Sequence, residues 1–368
     1  MKKRIAILAT FVGTINRGAE TFVIELTRRL RQQFDVTVFS KGIAEDIIEN
    51  IVKINFKLPF WFNTHKNLYR KSKIFRRFCI KTYYLIPDEI EQYFFSKSVF
   101  NNYLKSGNFD LIYPNNGIWG VRAASKIRKL KGTPFICTGH GGNSVGEIKI
   151  LKQKPDKYIA QTEKYKNWSS KFFRKVTKIH VGVNIINNFK NIEIKSEHKN
   201  LKKPVILCVA EFNEMKRQKL LVDAISCLEN GFLIMLGKGE LKDYLKKYCE
   251  SKIKGRYIID EVPYNEVFYY YQLCDLFSLP SKDEPFGIVY LEAMNANKPV
   301  VTTDDETRRE IINDAGILVN VENPVLYSDA LKECYEKDWG NIPSERVKNN
   351  FSWDKISQEY TDLIREVI

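Results

Sequence analysis

Two glutamates bracket the segment Glu284-Pro-Phe-Gly-Ile-Val-Tyr-Leu-Glu292, which follows an apolar stretch and the polar residues Ser281-Lys-Asp. A strand, a tight loop with Pro and Gly and then a helix would present free backbone N–H groups at the carboxyl edge of a parallel sheet, where anionic groups bind. In a helix the two carboxylates would lie about 12 Å apart along the axis, too far to act as a paired acid and base at one bond. We therefore expect them to accept hydroxyl hydrogen bonds at opposite ends of one elongated ligand.

A second predicted strand, Val205 to Val209, is followed by the segment Ala-Glu-Phe-Asn-Glu-Met and then by the basic pair Lys216-Arg217. Lys and Arg side chains at the end of a strand can bind an anionic group. The four histidines are not clustered and the seven cysteines contain no C-x-x-C pair, so neither residue type predicts a metal site. We expect metal-independent chemistry that needs no cofactor.

The stretch E-P-F-G-I-V-Y-L-E-A-M at 284–294 resembles the E-x7-E motif of the family 4 glycosyltransferases. These are retaining enzymes with the GT-B fold, in which two Rossmann-like domains face each other and a C-terminal helix crosses back to the first. The resemblance implies that Glu284 contacts the hydroxyls of the donor sugar and that Glu292 contacts the ribose. It also implies that sugar and diphosphate approach a run of backbone formed by Phe286, Gly287, Ile288 and Val289.

The basic segment resembles the V-G-R-L-x-x-x-K-G pattern of the same family, and Lys216 falls where the family has a lysine that binds the diphosphate. Two positions depart from the pattern: Ala210 replaces the usual glycine, and Glu211 replaces the usual arginine, so one positive charge is missing. Three explanations stay open. Arg217 supplies the charge, Glu211 contacts a different donor group, or the activity has been lost.

Further segments of the second half resemble this family. Gly237-Lys-Gly239 is similar to its glycine-rich turn, although a lone G-x-G is weak evidence because glycines mark turns in general. Val262 falls in the region where the family contacts the nucleotide base. Phe351-Ser-Trp353 is similar to the start of its last helix, which we expect over about 353–367.

In the first half the resemblance is partial. Gly13 and Gly18-Ala-Glu20 are similar to the flexible loop after the family's first strand, where small residues let the backbone approach the donor, but the family's paired glycines are not both present. His140, within Thr138-Gly-His-Gly-Gly142, falls where the family has a histidine beside the donor sugar. Its flanking glycines indicate exposure to a ligand, and a plain loop histidine is the alternative.

Apolar strands alternate with amphipathic helices in both halves, which predicts an α/β protein with parallel sheets. The chain opens with a strand at 4–9, a helix near 19–32 and a strand at 35–40. A polar stretch at 187–203 has the composition of a linker. We predict an N-terminal acceptor-side domain over residues 1–190, a nucleotide-sugar domain over 200–345 and a returning helical segment over 346–368.

Positive charge is concentrated in the first half: residues 1–190 hold 35 Lys and Arg against 13 Asp and Glu, whereas residues 191–368 hold 24 against 31. Between Glu49 and Asp88 nine basic residues are interleaved with aromatics, and acidic residues are absent. This composition suits an anionic membrane surface, and a solvated helix face over core aromatics is the alternative. No stretch approaches the roughly 20 apolar residues of a membrane-spanning helix, and the scattered cysteines fit a reducing compartment. We expect a cytoplasmic protein that is peripheral on the inner face of the cell membrane.

These features predict a metal-independent, retaining glycosyltransferase that acts in cell-surface polysaccharide assembly. Its donor would be a UDP- or GDP-linked hexose or N-acetylhexosamine, and its acceptor a glycan or a polyprenyl-diphosphate-linked molecule. A non-catalytic nucleotide-sugar-binding protein of the same fold is the alternative that Glu211 permits. A dinucleotide-dependent oxidoreductase is disfavoured because no G-x-G-x-x-G follows an opening strand. A nucleic-acid-binding protein is disfavoured because no recognisable module is present and the positive charge is confined to one half.

Overall fold

The computed structural model describes residues 1–14, 18–42, 50–82, 85–115, 117–140, 142–185, 195, 198 and 200–368. The chain forms two compact units, here called unit 1 and unit 2. Unit 1 consists of Met1–His180 with Ile356–Ile368, and unit 2 of Val181–Lys355. Most of the predicted linker lies outside the described residues, and residues 346–355 belong to unit 2.

Unit 1 is built on parallel strands in the spatial orders β3-β2-β1-β4 and β5-β6-β7. A parallel bridge between Ile112 and Phe135 connects the two groups. Ile5, Ala6, Ile7 and Leu8 of β1 are all buried, as expected for a central strand that is covered on both faces. The strands are β1 (Arg4–Leu8), β2 (Asp35–Ser40), β3 (Ile51–Lys53), β4 (Leu111–Pro114), β5 (Ile136–Thr138), β6 (Lys157–Ala160) and β7 (Val176–Lys178).

The helices of unit 1 follow the strands and cover the sheet. In the first of them Phe22, Leu26 and Leu30 are buried at helical spacing, which confirms the predicted amphipathic face. The helices are α1 (Gly18–Leu30), α2 (Phe62–Lys71), α3 (Lys73–Thr82), α4 (Pro87–Val99) with a π-helical turn (Phe100–Leu104), α5 (Ile118–Lys131), α6 (Val145–Leu151) and α7 (Glu163–Ser170).

The last helix, α15 (Trp353–Val367), joins the core of unit 1 from Ile356 onward, and its bounds confirm the predicted ones. The Tyr360 ring stacks on the ring of Tyr113, with 6.3 Å between centroids. Its hydroxyl lies 3.2 Å from the Oγ1 of Thr138, which also contacts the Tyr113 hydroxyl. These three buried hydroxyl groups satisfy one another, so α15 is fixed to β4 and β5 by polar as well as apolar contacts.

Unit 2 contains a six-stranded parallel sheet in the order β10-β9-β8-β11-β12-β13. The apolar runs of β8, β9 and β11 are almost wholly buried, because helices cover both faces. The strands are β8 (Val205–Val209), β9 (Phe232–Leu236), β10 (Tyr257–Asp260), β11 (Leu276–Leu279), β12 (Val300–Thr303) and β13 (Gly316–Val319).

The helices of unit 2 complete a Rossmann-like arrangement, in which each parallel strand is followed by a crossover helix. They are α8 (Gln218–Cys227), α9 (Lys242–Lys252), α10 (Tyr264–Leu273), α11 (Ile288–Asn295), α12 (Glu306–Ile312), α13 (Pro324–Glu336) and α14 (Ile342–Phe351). Among the described residues, no helix combines the length and the apolar character needed to cross a membrane.

Candidate functional site

The strand order of unit 2 places two predicted site loops side by side. β8 and β11 are neighbours at the point where the strand order reverses. From β8 the chain continues to β9 and β10 on one side, and from β11 it continues to β12 and β13 on the other. In open parallel sheets, ligands bind in the crevice at the carboxyl ends of two such strands. Lys216 lies in the loop after β8, and Glu284 in the loop after β11.

Lys216 and Glu284 are in direct contact. The Nζ of Lys216 lies 2.5 Å from Oε2 of Glu284, and the Oγ of Ser281 lies 3.3 Å from the same oxygen. The side chains retain 21% and 13% of their exposure, so the pair is only partly open to water. The backbone N–H of Lys282 donates to the carbonyl of Met215 at 2.8 Å and ties the two loops together. The arrangement offers a cation for a phosphate and a carboxylate for a hydroxyl.

Gly287 shapes the turn between this loop and α11. Its φ of 87° lies in the left-handed region, and a Cβ would stand 2.5 Å from ring atoms of Tyr290. Only glycine therefore fits at this position. The same Cβ would lie 3.0 Å from the Cγ of Glu284, so the Glu284 side chain packs directly against this turn.

The other residues predicted to approach the donor surround this turn. Phe286 is buried, with its ring centroid 6.1 Å from that of Phe351. Ile288 and Val289 are the first two residues of α11 and are partly exposed. The first N–H groups of a helix have no acceptor inside it, so this end of α11 can bind an anion.

Arg217, which the sequence offers as a replacement for a missing charge, is engaged in the protein. Its Nε donates to the Pro280 carbonyl at 2.8 Å, and its Nη2 donates to the Ser281 carbonyl at 3.3 Å and to Thr303 Oγ1 at 3.1 Å. Its Nη1 pairs with Glu322 at 3.0 Å. Burial lowers the pKa of the guanidinium. In this structure Arg217 holds the loop after β11 in place.

A second arginine under the same loop was missed by sequence reasoning. Arg308 is fully buried, donates from Nη2 to the Ser281 carbonyl at 2.9 Å and from Nε to the Tyr290 hydroxyl at 3.3 Å, and pairs with Asp305. Its segment Glu306-Thr-Arg-Arg-Glu is typical of an exposed helix, so the sequence carries no signal for this role. The buried guanidinium therefore supports the Ser281 carbonyl, and its charge is paired with that of Asp305.

The glycine-rich turn after β9 packs directly on the loop that carries Glu211. A Cβ on Gly239 would lie 2.3 Å from the Phe212 carbonyl oxygen, so backbone meets backbone here. The Phe212 N–H donates to the Lys238 carbonyl at 2.8 Å. The Glu211 side chain is exposed and accepts from Asn213 Nδ2 at 3.1 Å. The residue that replaces the family's arginine therefore lies on the open side of its loop.

Glu292 sits inside unit 2 with two tyrosines that the sequence analysis did not identify. Tyr264 donates to Oε1 at 2.8 Å, and Tyr271 donates to Oε2 at 3.0 Å. Burial raises the pKa of Glu292, and the two tyrosine hydrogen bonds oppose that shift. Val262 is partly exposed in the loop between β10 and α10, two residues before Tyr264. Tyr264 thus connects the predicted base region with the predicted ribose contact.

In unit 1, His140 is fixed by partners on both ring nitrogens. Gln161 Nε2 lies 3.0 Å from Nδ1, and Asn115 Oδ1 lies 2.8 Å from Nε2. An amide N–H donates to Nδ1, so the proton of the neutral ring is on Nε2. The backbone N–H of His140 donates to buried Glu147 at 3.0 Å. Burial lowers the pKa of the imidazole to about 4, so His140 is neutral at physiological pH.

The loop after β1 meets the histidine through the same asparagine. Asn115 Nδ2 lies 3.4 Å from the carbonyl of Ala19, which follows Gly18 at the start of α1. Phe22 packs its ring edge-on against His140, with 5.3 Å between centroids. The first turn of α1, which begins at the predicted residue Gly18, is therefore close to His140. Gly141 and residues 15–17, part of the same predicted motifs, lie outside the described residues.

Within the described ranges, no group of three or more His, Cys, Asp or Glu side chains is arranged to hold a metal ion. In unit 2, a lysine, a carboxylate and the first N–H groups of α11 meet at one edge of the sheet, and such a set can bind a phosphate-bearing ligand with hydroxyl groups.

Comparisons with known proteins agree with this reading. The sequence model described as Glycosyltransferase Family 4 matches residues 16–185, and the one described as Glycosyl transferases group 1 matches residues 189–352. An uncharacterized glycosyltransferase of Methanocaldococcus jannaschii is 23% identical over 90% of this chain and 94% of its own length. The lipopolysaccharide core biosynthesis glycosyltransferase LpsE of Rhizobium meliloti is 27% identical over 44% of this chain and 49% of its own length. The structure of Anabaena HepE in complex with UDP-glucose has a TM-score of 0.74 at 16% identity, covering 99% of this chain and 100% of that one.

Two Rossmann-like units built on parallel sheets, together with the likeness to the HepE structure, define the GT-B fold class. The chain belongs to the family 4 glycosyltransferases, whose two sequence models together account for residues 16–185 and 189–352. It is therefore a glycosyltransferase of the GT-B type.

Proposed function

We propose that this chain transfers a hexose or N-acetylhexosamine, with retention of configuration and without a metal, from a UDP- or GDP-linked donor to a glycan or lipid-linked acceptor. The observation that carries the proposal is the contact between Lys216 and Glu284 at the switch point of the sheet, beside the start of α11. Relatives support the choice of substrates, since HepE was solved with UDP-glucose and LpsE is named for lipopolysaccharide core synthesis.

Lys216 and the first N–H groups of α11 bind the donor diphosphate. The leaving group gains negative charge as its bond to the sugar breaks, and an ammonium with a helix N-terminus stabilises that charge without a metal. Buried Arg308 holds the Ser281 carbonyl of the same loop in place. Glu284 then accepts hydrogen bonds from donor-sugar hydroxyls, and Glu292 accepts one from the ribose by sharing its oxygens with Tyr264 and Tyr271.

Retention of configuration follows if the acceptor hydroxyl attacks from the face of the leaving phosphate. The bond between the acceptor oxygen and the anomeric carbon forms while the bond from that carbon to the phosphate oxygen breaks. The acceptor proton passes to the departing phosphate, so no protein nucleophile is needed. His140 is neutral and both of its ring nitrogens are bonded to Gln161 and Asn115, so in this proposal it shapes the sugar site and does not transfer a proton.

Unit 1 supplies the acceptor side and a membrane-binding surface on α2 and α3. Residues 50–82 contain nine basic residues and no acidic ones. On α3, Ile74 is 82% exposed and Phe78 53% exposed, next to basic side chains. Apolar side chains that enter the headgroup region and cations that meet anionic lipids fit a peripheral position on the inner face of the cell membrane.

A non-catalytic protein that binds nucleotide sugars is the second candidate, and it is favoured by the loss of one positive charge from the family's pattern. Glu211 stands where the family has an arginine, and the hydrogen bonds of Arg217 go to Pro280 and Thr303 of the protein itself. Donor binding without turnover across a panel of acceptors would select this candidate.

The test is thermal stabilisation of the purified protein by UDP-, GDP-, ADP- and TDP-sugars, each with and without EDTA. A ligand at 100 times its dissociation constant adds about 2.7 kcal/mol to the free energy of unfolding. We expect one nucleotide class to stabilise the protein equally in EDTA, and the product formed from that donor to keep the donor's anomeric configuration by NMR. No stabilisation by any donor would overturn the proposal, and loss of the shift in EDTA would overturn metal independence.

A further inference from the structure

A groove of about 530 Å³ lies in unit 1, along one face of α4 with its π-helical turn and one face of α5. The residues that line it recur at helical spacing on both sides, so two continuous stripes face each other. The side chains that matter for the argument are Tyr93, Lys97 and Phe100 on one wall and Trp119, Arg122 and Lys126 on the other.

The charge of this groove has one sign. Lys97, Arg122, Lys126 and Lys129 line it, and none of the described lining residues is Asp or Glu. The whole of α5 lacks acidic residues. Across the described ranges, Lys97, Lys126 and Lys129 form no ion pair. These three lysines, with no described carboxylate beside them, attract anions.

Aromatic rings hold two of the cations in position. The Arg122 guanidinium carbon lies 4.7 Å from the centroid of the Trp119 ring, and Lys126 Nζ lies 5.7 Å from that of Phe100. Tyr93 packs edge-on against Trp119, with 4.7 Å between centroids. Cations anchored in this way lose less freedom when they bind a ligand. The rings are also occupied, so they do not offer open faces on which nucleic-acid bases could stack.

The remaining lining groups suit a ligand with hydroxyls. Ser96 and Ser125 are almost buried at the floor, and Asn101 and Gln153 bring amide groups to the groove. From Trp119 to Lys129, α5 rises about 15 Å, enough for several linked sugar rings. The aromatic rings of the groove are in contact with its cations, whereas the exposed aliphatic side chain Ile74 is on α3.

We propose that this groove binds an acidic saccharide chain, with its carboxylates or phosphates on the four cations and its hydroxyls on the serine and amide groups. The inference concerns binding by unit 1 alone and does not require that the chain transfer sugar. If the proposed transfer is correct, such a chain is a segment of the acceptor.

The test uses tri-galacturonic acid as the probe, its methyl ester as the uncharged counterpart and inorganic pyrophosphate as a free anion, each titrated by calorimetry without a nucleotide sugar. Three proteins are compared: the wild type, the double variant Lys97→Gln/Lys126→Gln, and the control Lys246→Gln/Lys247→Gln. The control removes the same charge from exposed positions on α9 of unit 2. Thermal stabilisation by the nucleotide sugar is measured on the same samples and reports the donor site separately.

We expect the wild type and the control to bind the acid but not the ester, and the groove variant to bind the acid at least tenfold more weakly. Donor stabilisation should be unchanged in all three proteins. If both double variants lost affinity for the acid equally, the attraction would depend on net charge only, and the proposal would be overturned. Binding of pyrophosphate but not of the saccharide, or of neither, would also overturn it, whatever the donor experiment shows.

Discussion

Replacing Glu284 by Gln should tighten the binding of the free nucleoside diphosphate while abolishing sugar transfer. The Glu284 carboxylate holds the ammonium of Lys216 at 2.5 Å. The same carboxylate places a negative charge beside the proposed diphosphate site. The amide of glutamine has neither effect, but it accepts sugar hydroxyls less strongly than a carboxylate does. Replacing Lys216 by Met should weaken both diphosphate binding and transfer.

The two substitutions should change the affinity for the nucleoside diphosphate in opposite directions, and the size of each change can be estimated from the geometry. A hydrogen bond from a charged donor contributes about 1.5–3 kcal/mol, so Lys216→Met should weaken binding about 10- to 150-fold. Two unit charges 4 Å apart interact by about 1 kcal/mol in water and about 4 kcal/mol near a protein surface. Because Lys216 and Glu284 keep 21% and 13% of their exposure, we take about 1–2 kcal/mol, or about 5- to 30-fold tighter binding in Glu284→Gln.

The assay is calorimetric titration in EDTA with UDP or GDP, whichever base stabilises the wild type, together with the initial rate of nucleotide release from the sugar donor. Lys282→Met is the matched control. Lys282 is exposed in the same loop as Glu284, and it ties that loop to Met215 through its backbone N–H, which the substitution keeps. It removes the same charge without touching the ion pair.

Two results would refute the reasoning. One is a Glu284→Gln variant that binds the nucleotide less tightly than the wild type does. The other is equal affinity of the Lys216→Met and Lys282→Met variants, which would mean that Lys216 acts only through net charge. Melting temperatures of all four proteins show whether a loss comes from unfolding instead.

Gly287→Ala should lower the free energy of unfolding by about 1–3 kcal/mol and weaken donor binding, because the new Cβ would meet the Tyr290 ring in a strained turn; urea unfolding measures it, and wild-type stability would contradict it. The pKa of His140 is about 4 in the folded protein and about 6.5 in the unfolded one. The unfolded state therefore binds the proton first, and the free energy of unfolding decreases as the pH falls through this window. At pH 5 the loss relative to a His140→Gln variant should reach about 2 kcal/mol, and parallel stability curves for the two proteins would refute it. Lys73→Gln/Arg77→Gln should weaken binding to phosphatidylglycerol vesicles about 30-fold, at about 1 kcal/mol per basic side chain. Sedimentation checks this, with phosphatidylcholine vesicles as the control, and unchanged binding would exclude α3 from the membrane surface.

Strands and helices were predictable where the apolar pattern is unambiguous. β8, β9 and β11 are short apolar runs between turn residues, because both of their faces are buried. By contrast, α2 and α3 were not predicted as separate helices, and of their residues only Phe62 and Cys79 are buried. The helices α13 and α14 were not predicted either, since no family motif falls on them.

The site divides in the same way. Glu284, Lys216, Gly287 and Glu292 were proposed from the sequence because each belongs to a local motif whose strand, turn and helix can be recognised from neighbouring residues. Their partners were not found from the sequence. Arg308 contributes to the Ser281 loop, and Gln161 with Asn115 fixes His140, across long separations in the chain.

The sequence by itself determined the α/β class, the motif loops and the unequal distribution of charge, because all three depend on residue type and short-range spacing. Only the tertiary structure decided that Lys216 contacts Glu284 and that Arg217 is committed to the protein. It also decided that Glu292 is bonded to two tyrosines and that His140 is neutral. The physical reason is that strand order decides which loops are neighbours, and burial sets the charge state of the groups between them.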